Sequence, residues 1–302
     1  MTQGKVTVLL STYNGSKFLK QQLNSLYEQT YRNIKILVRD DGSTDATREF
    51  LEAEQVRGAI ELLEGHTNLG ATRSFFELLR LAALSDTEYV AFCDQDDVWL
   101  PDKIECAVSA LAALVDPPAL YCSRLEIVDE QLNPIGLTAI PRKIGFGNAL
   151  VENIAVGCTM MLNRKALDMI CSKLPDNVYI HDWWCYLLVS CFGEVIFDSN
   201  PHLRYRQHGN NAIGAATSKF QVLKRKLARM VSGRLWISEQ AAVFSNLFES
   251  SIPLSDRQIL NQFIKAKSSY WSRIRLAFSK QIWRQKWSDN LILRLVILIN
   301  RI

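Results

Sequence analysis

Over its first 125 residues the chain alternates short apolar runs with longer helical patterns, and the runs end in clusters of small polar residues. Lys5–Ser11, Ile34–Arg39, Ala59–Leu63 and Tyr89–Cys93 read as buried strands. Helical patterns lie between and after them at Phe18–Glu28, Thr44–Glu54, Thr72–Leu84 and Pro101–Leu114. Ser43 is placed to cap the second helix, and Pro101 suits the first turn of the fourth. Such alternation predicts an α/β fold, a mostly parallel central sheet with helices on both faces. Ligands of these sheets sit at the carboxyl ends of the strands, so the polar clusters there are the place to look for chemistry.

Strand one ends in Ser11-Thr12-Tyr13-Asn14-Gly15 and strand two in Asp40-Asp41-Gly42-Ser43-Thr44-Asp45. Asn68-Leu69-Gly70 follows strand three, and strand four ends in Asp94-Gln95-Asp96-Asp97. A single Asp-Gly or Asn-Gly marks a turn; four polar clusters at successive strand ends describe a binding site. Three carboxylates in four residues repel one another unless a cation lies among them. An all-oxygen set favours Mg2+ or Mn2+, which bridge carboxylates to substrate phosphates. Capping the helix that follows accounts for one acid, not three.

Beyond residue 119 the pattern mixes strands at Ala119–Leu125, Gly157–Leu162 and Glu194–Phe197 with helices near Arg164–Ser172 and Asp182–Cys191. STYNG, DDGSTD, NLG and DQDD, in this order and spacing, resemble family 2 glycosyltransferases, which have the Rossmann-like GT-A fold. DQDDVW, GCTM at 157–160, HDWW at 181–184 and YRQHGNN at 205–211 resemble the bacterial rhamnosyltransferase-like branch. The likeness spans residues 5–210 and implies transfer of a sugar from a nucleotide-sugar donor, with Mn2+ or Mg2+ as cofactor. It implies that Thr12, Tyr13, Asn14 and Asp41 hold the nucleoside side of the donor. Arg73 reaches the donor, and Asp94 and Gln95 face its ribose and sugar. Asp96 and His208 hold the metal, and Asp182 is the catalytic base. The base motif reads His181-Asp182 where Glu-Asp is commoner, which leaves the role of His181 open.

The chemistry agrees. A leaving diphosphate needs a cation to take up its developing charge, and an attacking hydroxyl needs a base. One base without a second nucleophile fits a single inverting displacement. The branch implies L-rhamnose from dTDP-L-rhamnose, delivered to a lipid-linked surface polysaccharide. A uridine-diphosphate hexose donor and a non-catalytic nucleotide-sugar-binding role are the alternatives. Asp182 also suits a helix N-cap, Trp183 and Trp184 suit a core, and Gly157-Cys158 reads as close packing rather than a nucleophile.

Charge divides the chain. Residues 219–302 carry 16 Lys/Arg against four Asp/Glu, and the rest is net acidic, within a total of +4. We therefore expect a catalytic domain over 1–214 and a basic, Trp-containing helical region over 215–302, with the boundary near 214–219. Trp271, Ile274, Phe278 and Ile282 fall on one face of a continuous helix, and Leu276, Trp283 and Trp287 on another. Arg273, Lys280 and Arg284 lie between them. That pattern favours an anionic membrane surface over a homo-oligomer contact through the C-terminal helices. The acidic catalytic half argues against nucleic acid. No apolar run reaches the ~20 residues of a membrane span. The N-terminus lacks a signal pattern, and the seven cysteines contain no CxxC pair, which argues against disulfides or a zinc site. The expected location is the cytoplasm, peripheral on the inner face of the cell membrane.

Overall fold

The computed structural model describes residues 3–63, 65, 67–114, 116–176, 178–208 and 236–302. In chain order the elements are β1 (Val6–Thr12), α1 (Leu19–Tyr27), β2 (Ile34–Asp40), α2 (Thr47–Val56), β3 (Glu61–Leu62), α3 (Ala71–Ala83), β4 (Tyr89–Cys93) and β5 (Val98–Trp99). There follow α4 (Lys103–Ala112), β6 (Ala119–Val128), β7 (Pro134–Leu137), α5 (Phe146–Ala149), β8 (Met161–Asn163), α6 (Arg164–Ser172), α7 (His181–Phe192) and β9 (Glu194–Arg206). The C-terminal helices are α8 (Trp236–Phe248), α9 (Leu254–Ala266), α10 (Tyr270–Ala277) and α11 (Trp287–Leu298).

One sheet runs in the order β3-β2-β1-β4-β8-β6-β9-β5, with β7 beside β6. β3, β2, β1 and β4 are parallel, so their carboxyl ends and the loops after them share one edge. β8 enters antiparallel between β4 and β6, and β9 runs parallel to β6. Along β1 the side chains alternate between two cores. Val6, Val8 and Leu10 pack with α1, α2 and α4 through Leu23, Leu51 and Ile104. Leu9 packs on the other side with Phe75, Leu79, Leu167 and Trp184 of α3, α6 and α7. Period-two alternation with both faces buried is what covering helices impose on a parallel sheet.

The C-terminal helices join that second core: Phe244 of α8 meets Trp184 edge-on, with ring centroids 6.1 Å apart. The expected 214–219 boundary and the basic residues 219–234 lie outside the described residues. Among the described residues no helix is long and apolar enough to cross a membrane.

Four local expectations change. α2 starts at Thr47 rather than Thr44, because Ser43 turns its hydroxyl to Asp40 (2.6 Å) and Asp45 accepts the Thr47 N–H (3.0 Å). α4 starts at Lys103, so Pro101 precedes it. Gly157–Thr159 is a 3-10 turn, and only Met161–Asn163 of the expected strand is extended. The single helix expected through 271–287 ends at Ala277, and α11 begins at Trp287. Arg294 causes that break: its guanidinium donates to the carbonyls of Ala277 (2.8 Å), Ser279 (2.6 Å) and Ile282 (3.0 Å). The proposed stripes therefore separate. Leu276 and Ile282 are buried, whereas Trp271, Phe278 and Trp287 are exposed.

Candidate active site at the strand ends

The loops after β1 and β2 are stitched together by backbone and short side chains. Asn14 takes φ 49°, a left-handed conformation that Asn tolerates; its N–H donates to Ser43 Oγ (2.9 Å) and its Oδ1 accepts the Thr44 N–H (2.8 Å). The loop after β1 is tied equally to strand four. Tyr13 N–H donates to Gln95 Oε1 (2.8 Å) and Gln95 Nε2 donates back to Tyr13 O (3.0 Å). Gly15 allows that exchange, because a Cβ there would lie 2.2 Å from Gln95 Oε1. Tyr13 itself is exposed on this rim. Thr12 is buried and donates its hydroxyl to Asp40 (2.8 Å), so its side chain shapes the loop from beneath.

Asp41 is the hub of the next pair of loops. Its Oδ1 accepts the Leu69 N–H (2.7 Å) and the Arg39 guanidinium, and its Oδ2 accepts the Gly70 N–H (2.8 Å). Arg39 also donates to Ser74 Oγ (2.6 Å) and Thr67 O (2.9 Å). Burial alone would raise Asp41, but these donors outweigh it and hold the carboxyl below its ordinary range. Gly70, at φ 80°, bends the chain into α3, and Arg73 stands exposed on the helix's first turn.

At the end of β4 the four residues divide. Asp97 is fully buried and accepts the Arg206 N–H (3.2 Å); Asp94, Gln95 and Asp96 line the edge. His208 Nε2 lies 2.8 Å from Asp96 Oδ2. Arg206, buried within β9, donates to Asp96 O (2.9 Å) and Gln21 Oε1 (2.6 Å) and lies over the Phe18 ring. Burial, then the charges of Asp96 and Asp182, raise the Asp94 carboxyl to about 7. Asp97 is raised too, by burial and by its two acidic neighbours. Carboxylates that hold one another protonated form a site that a divalent cation neutralises. The Asp96 carboxylate is a ligand type suited to Mn2+ or Mg2+, and the His208 nitrogen lies beside it.

Asp182 is the second residue of α7 and not its N-cap, which is Ile180; its carboxylate turns to the segment at 157, with Oδ2 accepting the Gly157 N–H (2.9 Å) and Oδ1 the Trp183 N–H (2.6 Å). It is buried, and burial outweighs these donors to raise it to about 6. Asp182 holds the Gly157 N–H, and the adjoining Cys158 Sγ lies within 4.8 Å of an Asp94 oxygen, which brings the predicted base near the predicted donor-side carboxylate. His181 does not join them. It is buried, stacked on Phe75 with ring centroids 4.0 Å apart, and burial lowers it to about 3. Both of its ring nitrogens are buried without a hydrogen-bond partner. Trp183 and Trp184 are buried as expected, and Cys158 is buried with its thiol raised, no nucleophile.

The fold thus gathers Tyr13, Asn14, Asp41, Asp94, Gln95, Asp96, Asp182 and His208 along one sheet edge. Sequence reasoning missed Arg39, whose guanidinium fixes Asp41, and Arg206, which fixes the loop of Asp96. The signal for Arg206 lay in the YRQH run itself, an arginine two residues before the site histidine.

Comparison with known proteins identifies the family and the fold. The glycosyl transferase family 2 profile matches residues 7–170. A dTDP-rhamnosyl transferase of Shigella flexneri, RfbG, is 27% identical over 96% of this chain and 99% of its own. The Escherichia coli protein WfgD, a UDP-Glc:alpha-D-GlcNAc-diphosphoundecaprenol beta-1,3-glucosyltransferase, is 30% identical over 54% of this chain and 62% of its own. In fold, the chain resembles Staphylococcus aureus TarS 1–349 in complex with UDP-GlcNAc (TM-score 0.60, 16% identity, 98% of this chain and 81% of that one). It also resembles the Pyrobaculum calidifontis mannosyltransferase PcManGT in complex with GDP-Man and Mn2+ (TM-score 0.54, 17% identity, 99% and 75%). The profile covers more than half of the residues: the chain belongs to glycosyltransferase family 2.

Proposed function

We propose that the chain is an inverting, metal-dependent glycosyltransferase that moves L-rhamnose from dTDP-L-rhamnose to a lipid-linked surface polysaccharide. The observation that carries the reading is the placement of Asp182, which holds the Gly157 N–H beside Cys158, whose Sγ lies within 4.8 Å of an Asp94 oxygen. Asp41, Tyr13 and Asn14 border the nucleoside side, and Arg73 approaches the donor from α3. Asp96 and His208 would hold Mn2+ or Mg2+, which when bound would take up the negative charge of the leaving diphosphate. Asp182 Oδ accepts the proton of the acceptor hydroxyl as that hydroxyl attacks the anomeric carbon from the opposite face.

Rhamnose rests on the likeness to RfbG along nearly its whole length. The partial likeness to WfgD supports a uridine-diphosphate hexose as the second reading. Membrane attachment rests on α10 and α11. Trp271, Phe278 and Trp287 are each more than 70% exposed, and Leu291 and Leu295 continue the Trp287 stripe at four-residue spacing. Exposed aromatic and aliphatic side chains next to Arg275, Lys280 and Lys286 suit the inner face of an anionic bilayer. To test the donor, the protein is incubated with a panel of nucleotide sugars and Mn2+, with and without lipid-linked acceptors, and release of nucleoside diphosphate is measured. Acceptor-dependent release from dTDP-L-rhamnose alone supports the reading, and release only from a uridine-diphosphate sugar replaces it with the second.

A further inference from the structure

We propose that Asp102, Cys106 and His202 form a second cation site, for a borderline transition metal of the Zn2+ class, separate from the carboxylates at the end of β4. It is independent of the sugar-transfer reading. Asp102 and Cys106 stand four residues apart at the start of α4, hence on one side of the helix. His202 comes from β9, brought beside them by the Leu100 N–H that donates to His202 O (2.9 Å). One ligand atom from each of the three lies within 4.8 Å of the others.

Both neighbours approach the Asp102 carboxylate, one at each of its oxygens. His202 Nδ1 is 3.2 Å from Asp102 Oδ1, and Cys106 Sγ is 3.8 Å from Asp102 Oδ2. Metal bonds of about 2.0–2.3 Å place ligand atoms roughly 3.3–3.8 Å apart. The other ring nitrogen is already engaged. His202 Nε2 lies 3.1 Å from Asp198 Oδ2, and Asp198 is fixed in turn by the Tyr121 hydroxyl (2.9 Å) and the Asn200 N–H (2.8 Å). A carboxylate behind the far nitrogen is the usual support of a metal-bound imidazole.

The charge balance also calls for a cation. A neutral imidazole has one N–H, so with carboxylates at both nitrogens one lone pair faces a carboxylate oxygen. The two aspartate contacts of His202 leave Cys106 without a role. A soft cation that displaces the thiol proton uses all three donors. The sulfur selects against Mg2+ and Mn2+, which separates this site from Asp96. Asp102 is half-exposed, so an ion enters from solvent and keeps water in the fourth position. The cation would pin β9, four residues before Arg206, to the helix that follows the Asp94–Asp97 loop. The ligands come from elements 100 residues apart, which is why no short metal motif announces the site.

The test is a Co2+ titration of the full-length, chelator-stripped protein, read by the near-ultraviolet thiolate-to-cobalt band. We expect one equivalent to bind with that band in the wild type and in Asp96→Asn. The band disappears in Cys106→Ser, and Asp198→Asn weakens Co2+ binding by about 10- to 100-fold. Circular dichroism monitors folding, and Cys106→Ala replaces Cys106→Ser if the serine variant unfolds. A folded wild type without the band overturns the proposal. So does a band that survives loss of the Cys106 thiol, or one that Asp96→Asn removes.

Discussion

His208 Nε2 and Asp96 Oδ2 lie 2.8 Å apart although 112 residues separate them in the chain. The pair closes the site, because β9 carries the histidine back to the end of β4, and Arg206 holds the Asp96 backbone from the same strand. A nitrogen and an oxygen at that distance reach one divalent ion. We therefore predict that EDTA abolishes transfer and that Mn2+ or Mg2+ restores it. His208→Ala should raise the Mn2+ concentration needed for half activity by about tenfold or more, the scale of losing one supporting contact at a metal site. Full activity of chelated, metal-free protein would remove the ion from the reaction.

Asp182 sets the pH response. Its carboxyl is raised from 3.8 to about 6 by burial, so kcat/KM should rise with pH through about 6, where the base becomes ionised, and then level. The sign for stability is opposite. A raised carboxyl binds its proton more tightly when folded, so its contribution is fully present below 3.8 and is lost as pH rises through about 6. Thermal melts of wild type and Asp182→Asn should therefore diverge in the mutant's favour between pH 4 and 7. A constant difference across that range would contradict the buried, raised carboxyl.

Gly15→Ala probes the bridge between the first loop and strand four. The new Cβ must displace the Gln95 amide, which costs the two hydrogen bonds exchanged with Tyr13. Because a flexible side chain moves rather than backbone, stability should fall by only about 1–2 kcal/mol. The donor KM should rise several-fold while kcat changes less. An unchanged KM with Gln95 displaced would show that the bridge does not shape the donor site.

For the C-terminal helices we predict binding to anionic vesicles that weakens with salt, since exposed charges are screened over about 8–10 Å at moderate ionic strength. Trp271→Ser with Trp287→Ser should reduce that binding without lowering Tm, as both side chains are exposed. Equal binding to neutral and anionic vesicles would exclude the electrostatic part. Absence of binding to either would favour a contact between copies.

Much of the fold was legible because strand period, turn chemistry and buried runs agreed over β1 to β4. The polar ends of those strands named most of the site residues for the same reason. What sequence reading missed depends on distant partners. Ser43 is the exception, since its hydroxyl goes to Asp40 only three residues earlier, a local competitor the capping pattern did not weigh. Nothing in residues 271–287 shows that Arg294 will claim the carbonyls of Ala277 and Ser279 and end the helix. His181 reads like a catalytic neighbour of Asp182, yet helical geometry turns it into the aromatic core beside Phe75. Arg39 looks like one more strand residue until Asp41 and the 67–70 loop fold over it.

The central claim, that Asp182 is the base and Asp96 holds the cation, is tested most directly by comparing Asp182→Asn with Asp96→Asn in turnover and in donor binding. Asn at 182 keeps the shape and one acceptor for the Gly157 and Trp183 N–H groups but takes no proton. Turnover should fall by roughly 10²–10⁴-fold with the donor Kd unchanged, whereas Asp96→Asn should weaken Mn2+-dependent donor binding as well as turnover. A folded Asp182→Asn enzyme that binds donor and transfers sugar at the wild-type rate would contradict the account, leaving Asp182 as the N-terminal anchor of α7 and nothing more.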